Sequence, residues 1–477
     1  MKQSGLEADS SAERSLTQSD RPWRQGDLVE VTITDLSDSG DGVGRFGQRV
    51  VFVPDTVTGD LALVRLVRVK SHYAHGKLHQ LLQPSPHRIR PRCIVADKCG
   101  GCQWQHVSDA YQLEAKRNLV IQSLERIGGF VQPPVDTLLP VSEPLGYRNK
   151  ATYPIGKSQQ GQIQAGYYQK GSHQIVNLNQ CPIQDARLNP LLAEIKQDIQ
   201  QQGWAIYDEQ SHQGLVRHLG LRIGRRTGEQ LLTLVVTDWK LPGVEQQAQA
   251  WMQRYPDLVG VVLNRNPQRG NAIWGAETRC LAGRPYLQEI FAGLTFQIQP
   301  QTFFQVNTEQ AEALLQVIQS ELDLQGSEIL LDAYCGIGTL SLPLAQRVRQ
   351  AIGLEVQPEA VEQATQNAQL NQIDNASFQS GTVEQLLSQL TVQPDIVILD
   401  PPRKGCVGTY HANGVIEALL HLRPRQIVYV SCNPATLARD LKRLCGPDRY
   451  HLQRIQPADF FPQTAHVESA AFLTQNT

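Results

Sequence analysis

The chain contains no stretch near the roughly 20 consecutive apolar residues that a bilayer-spanning helix needs, and its N-terminus has no apolar signal-peptide core. Membrane insertion and secretion drop out, and a cytoplasmic protein is the expectation. An excess of charge is missing as well, because 44 Lys and Arg face 46 Asp and Glu, for a formal net charge of -2. Any grip on nucleic acid must therefore come from local clusters. There is no internal repeat and no low-complexity run beyond a mild enrichment in Gln.

What is present is an ordinary globular composition, 41% hydrophobic and 19% charged, over 477 residues. That length exceeds what one core usually holds, so two or three domains are expected. A monomer is the default. Nine cysteines in a reducing compartment point to metal binding or catalysis rather than to disulfides.

Residues 1–21 are polar, without apolar period, and read as a flexible tail. Residues 22–84 change to short β-branched runs (LVEVTIT, RVVFV, LALVRLVRV) separated by SGDGVG and TGD turns, the grammar of a small β-barrel. From Arg65 to Arg92 lie seven Lys or Arg and no acid, which is either a solvated basic face or a patch facing RNA. The glycine-rich turns and strand count resemble the TRAM domain, an RNA-binding barrel appended to several RNA-modifying enzymes. Residues 85–300 bring a cysteine-bearing segment, a helix from Ser108 through Ile127, and then mixed strands and helices, a central α+β domain. Residues 301–477 repeat strand, glycine turn and helix (EILLDAYCGIGTLSLPLA, AIGLEVQPEAVEQATQNAQ, PDIVILDPP, QIVYVSCNP), which predicts an α/β Rossmann-like domain with a doubly wound parallel sheet.

In such sheets ligands sit beyond the carboxyl ends of the strands. Asp332 ends one apolar run, Gly336 and Gly338 then let backbone approach a ligand, and Glu355 ends the next run, where a carboxylate can accept from two ribose hydroxyls. Asp332 can also cap the helix that follows. Thr382, after the next strand, is placed to flank an adenine. The third glycine of a dinucleotide fingerprint is missing, and the DxxCGxGT turn with an acid at the next strand end resembles class I S-adenosylmethionine-dependent methyltransferases.

Cys432 follows the apolar run IVYV almost directly, at the rim where the cofactor is expected. Carbon 5 of a pyrimidine is a poor nucleophile, and a thiolate that first adds to carbon 6 makes it a good one. A base must then remove the carbon 5 proton, and Glu468 in HVESAAFL is the best candidate. Cys335 and Cys406 are rival thiols. A cytosine-5 or small-molecule methyltransferase, and a noncatalytic RNA-binding protein, are the competing classes.

The ordered motifs FFQVN, DAYCGIGT, GLEV, DPPRKGC, SCNPATLARDL and HVESAAFL resemble the RNA (uracil-5-)-methyltransferase family, most closely the bacterial 23S rRNA enzymes. The resemblance implies that Gln305, Tyr334, Glu355 and Asp400 contact S-adenosylmethionine, that Cys432 is the nucleophile and that Glu468 is the base. It favours Cys432 over Cys406. Phe303 is either core or a stacking platform for a flipped uracil. Arg403 and Lys404 can meet phosphate or face water. Relatives that modify tRNA generally lack the barrel and the cysteine cluster, so structured RNA in the form of 23S rRNA is the expected partner, with tRNA the alternative.

Cys93, Cys99 and Cys102 form C-x5-C-x2-C, with Cys181 in NQCPI downstream. Spacing leaves zinc and an iron–sulfur cluster both open. The KCGGCQWQH context and its CPI partner resemble the [4Fe-4S] site of the same RNA methyltransferases. Gly100 and Gly101 suit such a site, where backbone N–H groups approach sulfur closely. Methyl transfer needs no electron, so a structural role is expected.

Overall fold

The computed structural model describes residues 23–406 and 414–476, and the tail expected over residues 1–21 lies outside them. The chain divides into two compact units, residues 1–89 and 90–477.

In the first unit β1 (Leu28–Leu36), β2 (Gly42–Phe46), β3 (Arg49–Val53), β4 (Leu61–Val69) and β5 (Tyr73–Gln83) close a barrel in the order β1-β2-β3-β5-β4. The turn-separated β-branched runs thus form the expected barrel. Along β1 the inward Val29, Val31 and Ile33 alternate with outward residues, the period of two that a half-buried strand requires. Gly44 is needed for close packing, since a Cβ there would lie 2.3 Å from Val31 Cγ1. Asp60 locks the exit from the barrel. Its buried carboxylate accepts from the N–H groups of Val57 at 2.7 Å and Ser85 at 2.8 Å and from the Arg88 guanidinium, and these bonds hold its pKa below the ordinary value despite burial. Of the basic stretch, Arg88 is therefore engaged internally, while Arg65, Arg68, Lys70 and Lys77 are exposed.

The second unit holds two large sheets. One has six strands in the order β11-β10-β9-β8-β6-β7: β6 (Lys150–Lys157), β7 (Ile163–Ala165), β8 (Val216–Ile223), β9 (Gln230–Val236), β10 (Leu258–Arg265) and β11 (Glu277–Gly283). Helices α2 (Asn189–Gln202) and α3 (Val244–Arg254) share its apolar core. The hairpin β12 (Leu287–Phe291) and β13 (Leu294–Ile298) and helix α4 (Thr308–Leu322) lead into the other sheet.

That sheet has seven strands, β14 (Ile329–Ala333), β15 (Gln350–Glu355), β16 (Ala376–Ser380), β17 (Ile396–Leu399), β18 (Gln426–Ser431), β19 (Tyr450–Ala458) and β20 (Glu468–Gln475), in the order β16-β15-β14-β17-β18-β20-β19. The first five in that row are parallel, and β20 and β19 complete it antiparallel. Successive residues of β17 enter opposite cores, Ile396 and Ile398 on one face and Val397 and Leu399 on the other. A strand covered on both faces must be apolar throughout, which is why the runs IVIL and ILL do not alternate. Chain order reverses between β14 and β17, so the ligand crevice is expected outside their carboxyl ends. Helices α5 (Ser341–Ala345), α6 (Pro358–Leu370), α7 (Val383–Ser388), α8 (Val415–Leu422) and α9 (Pro434–Leu444) connect the strands.

The expected helix after Ser108 forms as α1 (Asp109–Ser123), continued by a π-helical turn over Leu124–Gly128. Its buried face is half polar, with Gln112 and Lys116 beside Ala115 and Val120. Lys116 Nζ lies 2.6 Å from Asp459 Oδ1 and donates to the Phe461 carbonyl at 3.0 Å, and neither member of the pair reaches solvent appreciably. Burial opposes charge on both, lowering the lysine pKa and raising that of the aspartate. This pair ties α1 to the loop that delivers β20. Lys116→Met strands a buried carboxylate and is expected to cost about 3–5 kcal/mol in urea unfolding, whereas the double change with Asp459→Leu recovers most of it. A single-variant loss near that of a surface pair, about 1 kcal/mol or less, would contradict this assignment.

Candidate active site

Eight sequence-selected residues, Asp332, Tyr334, Gly336, Gly338, Glu355, Asp400, Cys432 and Glu468, lie at the carboxyl edge of the seven-stranded sheet. Asp332, near the end of β14, is buried. One of its oxygens accepts from Ser341 Oγ at the start of α5, and the other has no partner among the described residues. Burial, with the nearby charge of Glu355, pushes its carboxyl up to about 6. The bond is to the Ser341 hydroxyl, and α5 has Leu340 at its N-cap with no side-chain capping bond. Glu355 ends β15 and accepts from Gly336 N–H at 3.1 Å and Gln357 N–H at 2.9 Å, so the glycine turn is pinned to the strand next door. Tyr334 begins that turn in the left-handed region at φ 73°, a conformation costly for a residue with a Cβ. Gly336 and Gly338 continue it at φ 55° and 87°, and a Cβ added to Gly336 would meet nothing within 4 Å, leaving room above the turn.

Asp400 follows β17. Burial and the charge of Asp332 push its carboxyl up to about 7. Beyond it stands Glu468, the first residue of β20, buried, with Oε2 unpartnered among the described residues. Burial and Asp400 hold its pKa well above the usual carboxylate range, against the pull of Arg403. Antiparallel pairing sets Ser431 opposite Ser469. The next residue outward is Cys432 on one strand and Glu468 on the other. The thiol is partly exposed and pushed up to about 11 by burial and by the charges of Glu468 and Asp400, while Arg403 hydrogen-bonds it and pulls the other way. Its rivals are less available. Cys406 is 2% exposed and pushed up to about 12 by burial, and Cys335 is buried as well.

Several residues that organise this edge escaped the sequence reading. Asn433 caps α9, accepting from Ala435 and Thr436 N–H, and its amide donates to the Arg403 carbonyl at 3.3 Å, as Thr436 Oγ1 does at 3.2 Å. Buried Asp440 accepts from Cys406 N–H at 2.8 Å and Tyr429 OH at 2.7 Å. A Cβ on Gly405 would lie 2.5 Å from that carboxylate, so the glycine at φ 76° is required. These bonds clamp the DPPRKGC loop and aim Arg403. A legible signal existed, because Asp440 falls on the apolar face of α9 between Leu437 and Leu441.

The remaining selected residues lie further out. Phe303 is 68% exposed, which removes the core alternative, while its neighbour Phe304 packs edge-on against Phe291. Gln305 has its carbonyl held by Asn149 Nδ2 at 2.9 Å, and Thr302 Oγ1 donates to Gln363 of α6, so this segment joins the central sheet to the catalytic one. Thr382 is an exposed N-cap accepting from Gln385 N–H.

Cys93, Cys99, Cys102 and Cys181 line one small cavity with Tyr167 and Ile183, although among the described residues no group of three or more His, Cys, Asp or Glu is placed to hold a metal ion. Three of the sulfurs accept N–H donors, Cys99 from Gly101 at 3.4 Å, Cys102 from Gln105 Nε2 at 3.7 Å, and Cys181 from the backbone of Ile183 and Gln184. Burial and mutual proximity push Cys102 up to about 12 and Cys181 up to about 11.

Residues 290–476 match the family model described as tRNA (Uracil-5-)-methyltransferase, and residues 22–79 that of the TRAM domain. An uncharacterized RNA methyltransferase of Nostoc sp. is 71% identical over 451 residues, 94% of this chain and 97% of its own. One from Halalkalibacterium halodurans is 38% identical over 95% of this chain and 98% of its own. Among solved structures, the Pyrococcus abyssi tRNA (uracil-54, C5)-methyltransferase in complex with S-adenosyl-L-homocysteine is 30% identical, with a TM-score of 0.74 over 93% of this chain and 99% of that one. That span is too long to omit the barrel, so the barrel does not separate rRNA from tRNA enzymes, contrary to the expectation from sequence. Among the described residues no helix is long and apolar enough to cross a membrane.

The charges around Cys432 predict opposite effects of two substitutions on its alkylation. With the thiol pushed up to about 11, iodoacetamide reactivity at this residue is expected to keep rising above pH 9. Glu468→Gln removes a charge that opposes thiolate and shifts the profile down, and Arg403→Gln shifts it up. Peptide-level mass spectrometry across pH reads both, and identical profiles in the three proteins would refute the arrangement.

Proposed function

We propose, from the premise that this chain belongs to the RNA (uracil-5-)-methyltransferase family, that it methylates carbon 5 of a uridine in 23S rRNA through covalent catalysis by Cys432. The observation that carries the reading is the pairing of β18 with β20, whose register opposes the thiol and the Glu468 carboxylate beside the ligand crevice.

Asp332, Tyr334, Gly336, Glu355 and Asp400 are the residues that would hold the cofactor, with Gln305 and Thr382 at its margin. The unpartnered oxygen of Asp332 and the raised carboxyl of Asp400 fit a ligand carrying positive charge, because a cation relieves their mutual repulsion. Bound S-adenosylmethionine supplies an electrophilic methyl group. Cys432, as thiolate, forms a bond to uracil carbon 6, and the electron pair displaced from the double bond makes carbon 5 nucleophilic. Once carbon 5 carries its new substituent, Glu468 accepts the proton from it. The carbon 5–carbon 6 double bond re-forms and the carbon–sulfur bond breaks, returning the thiolate. Burial makes Glu468 a stronger base than a surface carboxylate, and Arg403 offsets the negative charge shared by thiolate and carboxylate. Its exposure leaves Phe303 free to act as the stacking platform for a flipped base.

We propose that the four cysteines, which line one cavity, hold a [4Fe-4S] cluster, with zinc the alternative. N–H groups aimed at the sulfurs stabilise bound thiolates, and a Cβ on Gly101 would come within 3.5 Å of Cys99 Sγ. The cluster would staple the segment around Cys93 to Cys181 and supplies no electron to the reaction. Anaerobic purification is expected to yield iron and acid-labile sulfide in equal amounts with a visible absorption band, all lost in Cys102→Ser. Zinc without sulfide would overturn the assignment.

A tRNA substrate is the second reading, favoured by the Pyrococcus abyssi tRNA enzyme of matching layout. Incubation with 5-fluorouridine-substituted 23S rRNA fragments or tRNA, in the presence of S-adenosylmethionine, separates the two. Fluorine cannot leave as a proton, so a denaturation-resistant adduct is expected on rRNA and none with Cys432→Ala. An adduct on tRNA alone would move the substrate. No adduct on either would defeat the covalent mechanism.

A further inference from the structure

On the central sheet, β6 and β8 pair Lys150 directly opposite Arg222. Two like charges facing each other across a strand pair repel, and burying a cation without a counter-charge is costly. Arg222 is 4% exposed. Its Nη2 donates to the Thr302 carbonyl at 2.6 Å, but Nε and Nη1 have no partner among the described residues. Among the described residues no carboxylate acts on either cation. Burial lowers the pKa of both, and for Lys150 the nearby Arg222 and Arg148 lower it further. Strand β8 is buried along its length and gives Val216, Leu219, Leu221 and Ile223 to the apolar core, yet Arg222 is held on it as a cation.

The surroundings indicate what these donors face. Trp274 lies over Gly220, which shares a face of β8 with Arg222, and a Cβ on that glycine would approach the indole at 3.1 Å. Lys150 Nζ sits 5.3 Å from the centroid of the same indole, which is itself partly exposed. Thr302, the residue that Arg222 holds, directly precedes the exposed Phe303. A cation pair beside a partly exposed aromatic, one residue from a second exposed ring, has the parts of a single-stranded nucleic-acid site, where phosphates meet cations and bases meet rings.

We propose that Arg222, Lys150 and Trp274 form a nucleotide subsite that binds a phosphodiester, and its base, in the RNA strand next to the target uridine. The anion supplies the counter-charge that the fold withholds, and Arg222 couples its arrival to the Thr302–Phe303 backbone. The proposal rests on the RNA methyltransferase reading. It adds where the strand lies.

The test uses full-length protein, with 5-fluorouridine-substituted 23S rRNA fragments and tRNA as probes. Equilibrium binding is measured across salt concentrations for wild type, Lys150→Gln, Arg222→Gln and Trp274→Ala, alongside covalent adduct yield and thermal melting. Loss of one phosphate contact is expected to reduce the salt slope by about 0.7–0.9 in Lys150→Gln and to weaken RNA binding about tenfold. Trp274→Ala is expected to weaken binding with the slope unchanged. The Lys150→Gln protein without RNA is expected to melt no lower than wild type, because an uncompensated cation has been removed. Wild-type slope and affinity in a folded Lys150→Gln protein, with normal adduct formation, would overturn the subsite alone. Binding with the expected slope change but no adduct in wild type would uphold the subsite and defeat the uracil chemistry.

Discussion

Negative charge gathers at the carboxyl edge of the seven-stranded sheet faster than the protein can neutralise it. Asp332 feels the charge of Glu355, Asp400 that of Asp332 and Glu468 that of Asp400, all three with raised pKa values, and Arg403 is a cation that acts on Glu468 and Cys432. Burial alone would leave such a row protonated and inert. A positively charged ligand changes the balance, so the crevice is poised for a cationic methyl donor, and the base beside the thiol gains strength from the same low-dielectric setting.

The fold maintains this imbalance through partners chosen for rigidity. Glu355 uses its oxygens on the backbone N–H groups of Gly336 in the glycine turn and of Gln357, the cap of α6. Asp440 and Asn433 clamp the loop that carries Arg403. Behind β20, the Lys116–Asp459 pair fixes the approach to Glu468 from α1, far away in sequence. Each contact sets the position of a charged group without neutralising it.

Much of this was legible beforehand for a physical reason. Alternation in LVEVTIT and unbroken apolar runs such as IVIL distinguish one-sided barrel strands from strands covered on both faces, and the residue that ends a parallel strand points toward the ligand edge. Asp332, Glu355, Asp400 and Cys432 follow from that rule. Tertiary pairings are another matter. Lys116 and Asp459 sit 343 residues apart, and nothing local distinguishes a buried ion pair from two surface charges. Phe303 and Phe304 are adjacent and chemically identical, yet one is exposed and the other is core. Arg222 reads as one cation in a strand until its neighbour Lys150 is known. The barrel suggested an rRNA enzyme, and a tRNA enzyme of the same layout removes that inference.

The division of labour between Cys432 and Glu468 is the centre of the account, and release of tritium from RNA carrying 5-tritiated uridine tests it most directly. Wild-type protein with S-adenosylmethionine is expected to release tritium in step with methyl transfer. Glu468→Gln is expected to transfer the methyl group yet release tritium slower by roughly 10²–10⁴, the usual worth of a positioned base, with RNA held on Cys432. Cys432→Ala is expected to do neither. Tritium release from Glu468→Gln at the wild-type rate, or methyl transfer to RNA by Cys432→Ala, would contradict the mechanism.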